Sequence, residues 1–297
     1  MVLRLVPTDF LTVQAAIDAS SPGDSIHILA GKFDGFEVDV ENLKIFGCGI
    51  GRTIIEGNPG FADNGILVNA DRTTLQRFTV QGFEEDGIIV NSSHNVVKEI
   101  EMIFNGNDGI STTAIGNNNL IVDCVSSFNS TGFDWEGMHN CVIHCESSSN
   151  SFTGFPIFSD NNVLIKNIIN NNDIGFGISS TFNTLLNNQI KKNGNLGIFI
   201  TSNNMTIDNS ICDNEGSGVF VINFENVVDS NIVRNNGTDM TDAGILVDSG
   251  ATDNTIRFNK ARNNVEFDIE AEPGAEPPNN TFDGNKCGNS SPPGLCT

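Results

Sequence analysis

Residues 183–193, NTLLNNQIKKN, carry the pattern that decides the fold, because Asn occupies the first, sixth and eleventh positions of this stretch. Copies in the same phase begin at Asn162, Asn204, Asn226 and Asn254, and looser copies begin at Asn95, Asn119, Asn140 and Asn280. Successive copies start between 21 and 28 residues apart, and most of these intervals are 21 or 22 residues. A period of this length that persists along a chain predicts a solenoid.

The first Asn of each copy sets the phase of two columns of predicted core residues. Two positions after it, the side chains are mostly apolar: Val97, Ile121, Val142, Leu164, Leu185, Thr206, Val228, Ile256 and Phe282. Seven positions after it, they are apolar or small: Met102, Ser126, Ser147, Ile169, Ile190, Ile211, Val233, Ala261 and Cys287. Such columns predict short strands that contribute to one shared interior.

Asn also recurs five positions after the first Asn of each copy, from Asn167 onward. Two earlier copies have Cys124 and Cys145 at this place, which we interpret as small core residues that replace Asn. A buried amide costs free energy unless it is hydrogen-bonded. Asn side chains stacked at strand spacing satisfy one another, so the sequence predicts an asparagine ladder, and the last Asn of each copy predicts a second one.

A further strand precedes each copy and begins with Gly, as in GILV from Gly65, GIIV from Gly87 and GIFI from Gly197. Gly at this place suits either a positive φ or close packing between coils. The residue two positions after each Gly is predicted to point outward: Leu67, Ile89, Ser111, Asp134, Pro156, Phe199, Phe220 and Leu246.

These patterns predict an all-β fold, a single-stranded right-handed parallel β-helix that forms a solenoid of about eleven coils. Residues 12–19 are predicted to form a short capping helix, with Thr12 as its N-cap and with Val13, Ala16 and Ile17 on its buried face. We therefore divide the chain into an N-terminal lead with the capping helix (residues 1–24), the parallel β-helix (25–286) and a C-terminal tail or cap (287–297).

The repeats, together with the opening TVQAAIDASSPGDSIHILAGKF at residues 12–33, resemble the pectin-lyase-like superfamily of right-handed β-helices. More narrowly, the chain is similar to bacterial proteins built from parallel β-helix repeats. The resemblance covers nearly the whole chain and implies the fold, but for function it implies lyases, hydrolases, epimerases or proteins without enzymatic activity. It also favours a cell-surface, spore-surface or extracellular location over the cytoplasm.

Composition narrows the range of partners. The formal net charge is −22, from 37 acidic and 15 basic residues, which argues against nucleic acid and anionic membranes, and against a polyanionic glycan unless calcium bridges the two. No stretch is long and apolar enough for a membrane span, and residues 1–10 lack the apolar core of a signal peptide. With 21 Phe, no Tyr and one Trp, we expect Phe rings stacked in the interior rather than sugar-binding rings on the surface. Whether Cys287 and Cys296 pair is left open, because the total of seven Cys is odd.

The most polar part of the outward column is FDWEG, residues 133–137. Asp134 and Glu136 are predicted to share one face with Asp108, one coil earlier, and with Asp86, two coils earlier. Carboxylates on adjacent coils lie about 5 Å apart, a spacing that suits acid/base chemistry on a glycan. Asp134, Glu136 and Asp108 are therefore candidate catalytic residues. Asp86, Asp108 and Asp134 are alternatively candidate ligands for calcium, the one cofactor considered.

FDWEG also resembles the Tyr-Gly-Phe-Asp-Pro-His segment of alginate epimerases at Phe133 and Asp134, whereas the Tyr, Pro and His of that segment are missing here. Lyase chemistry of the pectate type also needs a basic group beside the acids to accept a proton or to stabilise the developing charge. His139 is the catalytic candidate for this role, with His94 and Lys98 as alternatives.

Apolar residues fill much of the remaining outward column. Leu67 with Ile89, and Phe199 with Phe220 and Leu246, are predicted to form patches that either bind a protein partner or a second copy of the chain, or are covered by loops. We rank first a non-catalytic β-helix, a surface, assembly or glycan-associating protein whose partner is a polysaccharide or a protein surface. The alternative is a carbohydrate-active enzyme of the polysaccharide lyase or uronate epimerase type, acting at the acidic face around Asp134.

Overall fold

A computed structural model describes residues 1–58, 60 and 63–296 of the chain. The chain divides into two compact units, Met1–Ser151 and Phe152–Thr297, hereafter the N-terminal and C-terminal units. Both consist almost entirely of short parallel strands, and together they contain about 13 turns of a parallel β-solenoid. The predicted fold class is therefore confirmed, with slightly more coils than the repeat count indicated.

Two sheets build the N-terminal unit. Its first sheet contains Leu3–Val6, Ser25–Ile28, Gly31–Phe33, Lys44–Phe46, Thr53–Glu56, Thr74–Gln81, Val96–Ile103, Leu120–Val122, Val125–Ser127, Cys141–Ile143 and Glu146–Ser148. Its second sheet contains Phe36–Val38, Ile66–Val68, Ile88–Val90, Asp108–Thr112 and Thr131–Trp135. Leu3–Val6, which the sequence places in the lead segment, pairs in parallel with Ser25–Ile28 and so belongs to the first sheet.

The C-terminal unit repeats this arrangement. Its first sheet contains Val163–Ile165, Ile168–Asn170, Thr184–Leu186, Gln189–Lys191, Met205–Ile207, Ser210–Cys212, Val227–Asp229, Ile232–Arg234, Thr255–Arg257, Lys260–Arg262 and Thr281–Asp283. Its second sheet contains Thr153–Ile157, Ile174–Ile178, Ile198–Ile200, Val219–Val221, Ala243–Val247, Phe267–Ala271 and Ser290–Ser291. Residues in register on neighbouring strands, such as Leu164, Leu185 and Thr206, stack in the buried interior.

The helix Val13–Asp18 forms where the sequence predicts it. Thr12 is its N-cap, and the Thr12 hydroxyl accepts a hydrogen bond from the Ala15 N–H at 3.1 Å. This bond satisfies one of the N–H groups that a helix start leaves without an intrahelical partner. Val13, Ala16 and Ile17 are buried, as the amphipathic pattern predicts. In the described part of the chain, no helix has the length and apolar character needed to cross a membrane.

Asn side chains connect successive coils through the interior. The Asn209 side chain accepts from the Asn188 N–H at 2.8 Å through Oδ1, and its Nδ2 donates to Leu185 O at 3.0 Å and to Asn231 Oδ1 at 3.1 Å. Each buried amide is therefore satisfied by the coils on either side of it. In the N-terminal unit, Cys124 and Cys145 are buried at the corresponding position, and the Cys124 N–H donates to Cys145 Sγ at 3.4 Å.

A residue in the left-handed region precedes most Asn residues of the repeat, Asn280 being an exception. In one coil these residues are Phe182, Asn187 and Lys192, with φ of 58°, 57° and 56°. The left-handed residue turns the chain between short strands and directs the next Asn into the interior. The five-residue spacing of Asn therefore reflects a unit of one Asn, a three-residue strand and a one-residue left-handed corner.

The Gly residues that begin the second-sheet strands serve close packing rather than a special backbone conformation. A Cβ added to Gly65 would lie 2.3 Å from the carbonyl oxygen of Gly87, and one added to Gly87 would lie 2.6 Å from that of Gly109. Neither Gly65 nor Gly87 has a positive φ. Successive coils therefore approach more closely here than any larger residue allows.

The expectation that Phe rings lie in the interior is only partly right. Phe78, Phe83, Phe133, Phe155 and Phe176 are fully buried. Other Phe side chains are exposed on the surface: Phe104, Phe128, Phe152, Phe158, Phe182, Phe224 and Phe258. Several of these occupy left-handed corners, where a side chain must point away from the core, and the composition alone could not reveal this. Near the C-terminus, a disulfide links Cys287 and Cys296, which answers the question left open by the sequence.

Candidate functional site

The strand Thr131–Trp135 positions Asp134 on the outer surface of the N-terminal unit. Phe133 and Trp135 are buried on either side of it, and Asp134 itself is half-buried, as strand alternation requires. Asp134 lies opposite Ser111 on the neighbouring strand, whereas Asp108 lies opposite Thr131. The predicted stacking of Asp134 directly on Asp108 is therefore offset by three positions along the strand, because Asp108 opens its strand and Asp134 is near the end of the next one.

Asp86 holds the acidic cluster together. Its Oδ1 accepts hydrogen bonds from Asn107 Nδ2 at 2.6 Å and from the Asp108 N–H at 3.1 Å. Its Oδ2 accepts from the Ser111 hydroxyl at 2.9 Å. Asp86 is only 8% exposed, and its carboxylate accepts all three of these hydrogen bonds. The charge of Asp86 acts on both Asp108 and Asp134.

Asp108 is 5% exposed, and burial disfavours the charged form of its carboxyl group. Burial, followed by the charges of Asp86 and Asp134, raises the pKa of Asp108 to about 7, while a hydrogen bond from Thr131 opposes the rise. A carboxyl group with this pKa keeps its proton in much of the population near neutral pH. Asp108 can therefore donate a proton, which an ordinary surface aspartate cannot do at this pH.

Asp134 shares this character but is more accessible. Burial and the charge of Glu136 raise the pKa of Asp134 to about 6, with a smaller contribution from Asp86, while the Trp135 N–H opposes the rise. Its Oδ1 is buried and has no hydrogen-bond partner in the described part of the chain. An unpartnered buried oxygen costs free energy, so its retention indicates a role other than stability.

The other predicted site residues do not join this cluster. Glu136 is exposed at the end of the strand and influences Asp134 through its charge. His139 and His94 are exposed in left-handed turns, and Lys98 lies on the first sheet opposite Gln76 and Val122. Within the described residues, no ion pair joins a basic side chain to Asp86, Asp108, Asp134 or Glu136.

The assignment of Asp86, Asp108 and Asp134 as calcium ligands stays a prediction. In residues 1–58, 60 and 63–296, no group of three or more His, Cys, Asp or Glu side chains is placed to hold a metal ion. The Asp86 carboxylate already accepts hydrogen bonds from Asn107 and Ser111.

The outward column of the C-terminal unit is apolar where the sequence predicts it. Phe199 lies opposite Phe220, with ring centroids 6.0 Å apart, and Phe220 lies opposite Leu246. In the N-terminal unit, Leu67 lies opposite Ile89. The Phe rings, Leu67 and Ile89 are half-buried, and Leu246 is 8% exposed.

A family model described as "Right handed beta helix region" matches residues 64–205 and 183–292. The chain belongs to this family. Solved structures agree with the right-handed β-helix fold of this family. No curated protein matches the sequence.

Several solved structures share the fold of this right-handed β-helix protein at low sequence identity. The A-module of the Azotobacter vinelandii mannuronan C-5 epimerase AlgE6 is 15% identical with a TM-score of 0.83, over 93% of this chain and 88% of that one. A pectate lyase is 18% identical with a TM-score of 0.58, over 91% and 73% of the two chains. A mannuronic acid specific family 6 polysaccharide lyase from human gut microbiota is 12% identical with a TM-score of 0.60, over 97% and 87%.

Sequence reasoning missed three contributors to the acidic site of this β-helix protein: Asn107, Ser111 as a donor, and Thr131. Asn107 and Thr131 each lie two positions after the last Asn of a repeat copy, at Asn105 and Asn129. Thr131 starts its second-sheet strand and Asn107 directly precedes the strand Asp108–Thr112, so both side chains meet a carboxyl group of a neighbouring coil. Repeat phase could have identified the position, but not which hydrogen bonds form there.

Proposed function

We propose that this β-helix protein is a carbohydrate-active enzyme of the acid–base type, with Asp134 and Asp108 as its proton-transfer groups. The observation that carries the proposal is the pair of raised pKa values, about 6 for Asp134 and about 7 for Asp108, together with the unpartnered buried Oδ1 of Asp134. Carboxyl groups poised near neutral pH are common at acid–base sites. The fold is shared with epimerases and lyases of polysaccharides, which makes a glycan the favoured substrate class.

The two carboxyl groups suit different steps of one elimination. At neutral pH, Asp134 is mostly ionised, because its pKa is about 6, and it can remove the proton next to the carboxyl group of a uronate. The C4–O4 bond then breaks, a C4–C5 double bond forms, and Asp108, whose pKa is about 7, supplies a proton to the departing oxygen. The charge of Asp86 raises the pKa of Asp108 and so keeps the Asp108 proton available.

An epimerase reaction begins with the same proton removal but returns a proton to the opposite face of the same carbon. The two reactions therefore differ in their products. Elimination yields an unsaturated sugar that absorbs ultraviolet light, whereas epimerisation changes the stereochemistry of the uronate and leaves the chain intact.

The test is turnover of alginate, polygalacturonate, glucomannan and xylan by wild type and Asp134→Asn, each with calcium and with a chelator. Asp134→Asn is expected to lower the rate by about 10²–10⁴-fold, the usual contribution of a proton-transfer group. The matched control is Glu270→Gln, because Glu270 lies in the outward column of the C-terminal unit opposite Leu246, and burial also raises its pKa. An absence of product with wild type in every arm, or equal rates in Asp134→Asn, contradicts the proposal.

Association without catalysis is the second candidate function. It is favoured by the half-buried rings of Phe199 and Phe220 on the outward column of the C-terminal unit. Apolar side chains on an outer sheet surface gain free energy when a partner removes them from water. We propose this surface as the contact through which copies of the chain assemble.

A further inference from the structure

Two Phe side chains stand exposed on neighbouring coils of the N-terminal unit. Phe104 is 60% exposed and Phe128 is 55% exposed, and their rings stack with centroids 5.0 Å apart and an angle of 16° between planes. Both residues have a φ of 58°, in the left-handed region that bulky side chains seldom adopt. An aromatic pair that is both strained and exposed calls for an explanation.

The fold does not require Phe at these corners. Other coils place short polar or charged residues at the same left-handed position, one before the last Asn of the copy: Ser149, Asn171, Lys192, Asp213, Asn235 and Asn263. Asn adopts this conformation with less strain than Phe. The ring stack contributes about 0.5–1.5 kcal/mol, which is less than the roughly 2–4 kcal/mol that two left-handed residues cost at about 1–2 kcal/mol each. Stability therefore gives no reason for the aromatic pair.

The surroundings of the pair are open and polar. A depression beside it is lined by Gly82, Glu84, Asn105 and Gly106. Gly82 takes the corner of the preceding coil, where a Cβ would meet no atom within 4 Å, so this corner places no side chain beside the Phe104 ring. Glu84 is exposed at the rim, where its Oε1 accepts a hydrogen bond from the Gly60 N–H at 2.9 Å and its Oε2 can accept one from a hydroxyl group.

The pair adjoins the acidic site through continuous chain. Asn107, three residues after Phe104, donates to Asp86, and Asp108 follows it directly. Glu84 at the rim precedes Asp86 by two residues. A ligand that crosses from the acidic cluster along these corners therefore reaches the Phe rings.

We propose that Phe104 and Phe128 form a sugar-binding subsite that stacks against the C–H face of a pyranose ring in a polysaccharide. A pyranose offers an apolar face for the rings and hydroxyl groups at its edge for Glu84 and nearby polar groups, as a mostly apolar site with a few polar groups requires. Two Phe side chains cover at most about 500 Å², well below the roughly 1,200 Å² of a specific protein interface. The inference rests on the proposed function, because it gives the glycan a second point of attachment beside the acidic site.

The test measures binding and turnover separately in the full chain. Affinity gel electrophoresis with alginate, polygalacturonate, glucomannan and xylan compares wild type with Phe104→Asn/Phe128→Asn, since Asn is the residue that other coils use at this corner. The double variant is expected to lose at least about 10-fold in affinity for the retarding polysaccharide, the effect of about 1.4 kcal/mol. Phe182→Asn is the matched control, because Phe182 is 60% exposed at a left-handed corner of the C-terminal unit and, among the described residues, no ring stacks on it as Phe128 stacks on Phe104.

The outcomes separate this subsite from the proposed chemistry. If wild type binds a polysaccharide through the Phe pair but turns none over, the result supports the subsite and contradicts the proposed enzymatic function. If the double variant turns over the polysaccharide with unchanged KM and unchanged affinity, the result contradicts the subsite and supports the proposed enzymatic function. Failure of wild type to bind any of the four polysaccharides overturns the subsite. A change in particle mass of the double variant in sedimentation also overturns it, because the pair would then be a protein contact.

Discussion

The two units carry different residues at equivalent positions of the interior column and of the outward column. In the C-terminal unit, the middle interior column is Asn throughout, from Asn167 to Asn285, and the outward column carries Phe199, Phe220 and Leu246. In the N-terminal unit, the interior column instead carries Ile100, Cys124 and Cys145, and the outward column carries Ser111 and Asp134. The regular ladder and the acidic surface therefore occur in different units.

In a solenoid, the coils that depart from the repeat consensus indicate where function lies. A coil that keeps the consensus at every position is explained by the requirements of stacking. The acidic cluster and the Phe104–Phe128 pair instead break a local rule, through unpartnered buried oxygen, raised carboxyl pKa values or bulky left-handed residues. Residues that depart from the consensus and lower stability, with no compensating contact, indicate the candidate functional surface.

The largest expected effect concerns the ladder. Asn209→Ala removes the acceptor for the Asn188 N–H and two donated hydrogen bonds, and we expect the free energy of unfolding to fall by about 3–5 kcal/mol. Cys124→Ala, in the same column of the N-terminal unit, is expected to cost only about 1 kcal/mol. Urea denaturation of the full chain measures both. Equal losses in the two variants would remove the energetic basis of the comparison.

A gain in stability is expected at the acidic site. The pKa of Asp108 is raised from 3.8 to about 7, so the folded state binds its proton more tightly than the unfolded state does. The resulting stabilisation is full at low pH and is lost as pH rises through about 4 to 7. Asp108→Asn should therefore raise the free energy of unfolding by about 2 kcal/mol near pH 8 and leave it almost unchanged near pH 4. Urea denaturation at the two pH values measures this.

Asp24 provides a control of opposite sign. Hydrogen bonds from the Ser21 and Val2 N–H groups and from Arg4 lower the pKa of Asp24 from 3.8 to about 2. Its ionised form is stabilising above the unfolded pKa, and this contribution is lost as pH falls toward 2. Asp24→Asn should therefore destabilise the protein at neutral pH. If Asp108→Asn also destabilises the protein near pH 8, the ionised Asp108 carboxylate does not lower the free energy of unfolding, which contradicts the prediction.

The sequence predicted the regular parts of the molecule well, for a physical reason. Each Asn column and each apolar column recurs in many coils, so one alignment of phase places the core strands and the outward positions of Phe199 and Asp134. The candidate site was predicted less completely. The register of Asp108 against Thr131, and the donors Asn107 and Ser111, depend on how individual coils differ in length. Exposure of Phe104 and Phe128 depends on corner geometry that residue type alone does not indicate.

The smallest expected effect on folding concerns the apolar surface of the C-terminal unit. Phe220→Ser removes a half-buried ring from the outward column, so the free energy of unfolding should change by less than about 1.5 kcal/mol. If copies of the chain associate through this surface, the variant should have a smaller particle mass in sedimentation than wild type. Ile89→Ser on the N-terminal unit is the matched control. A monomeric wild type would contradict association through these rings.

We propose that Asp108 and Asp134 form a proton-exchanging pair beside the charge of Asp86. The most direct measurement is an NMR titration of the side-chain carboxyl carbons in wild type and Asp86→Asn. We expect Asp108 to titrate near pH 7 and Asp134 near pH 6 in wild type, and both to titrate at lower pH in Asp86→Asn, with the larger decrease at Asp108. Titration of both groups near pH 4 in wild type, as for ordinary exposed aspartates, would contradict the account.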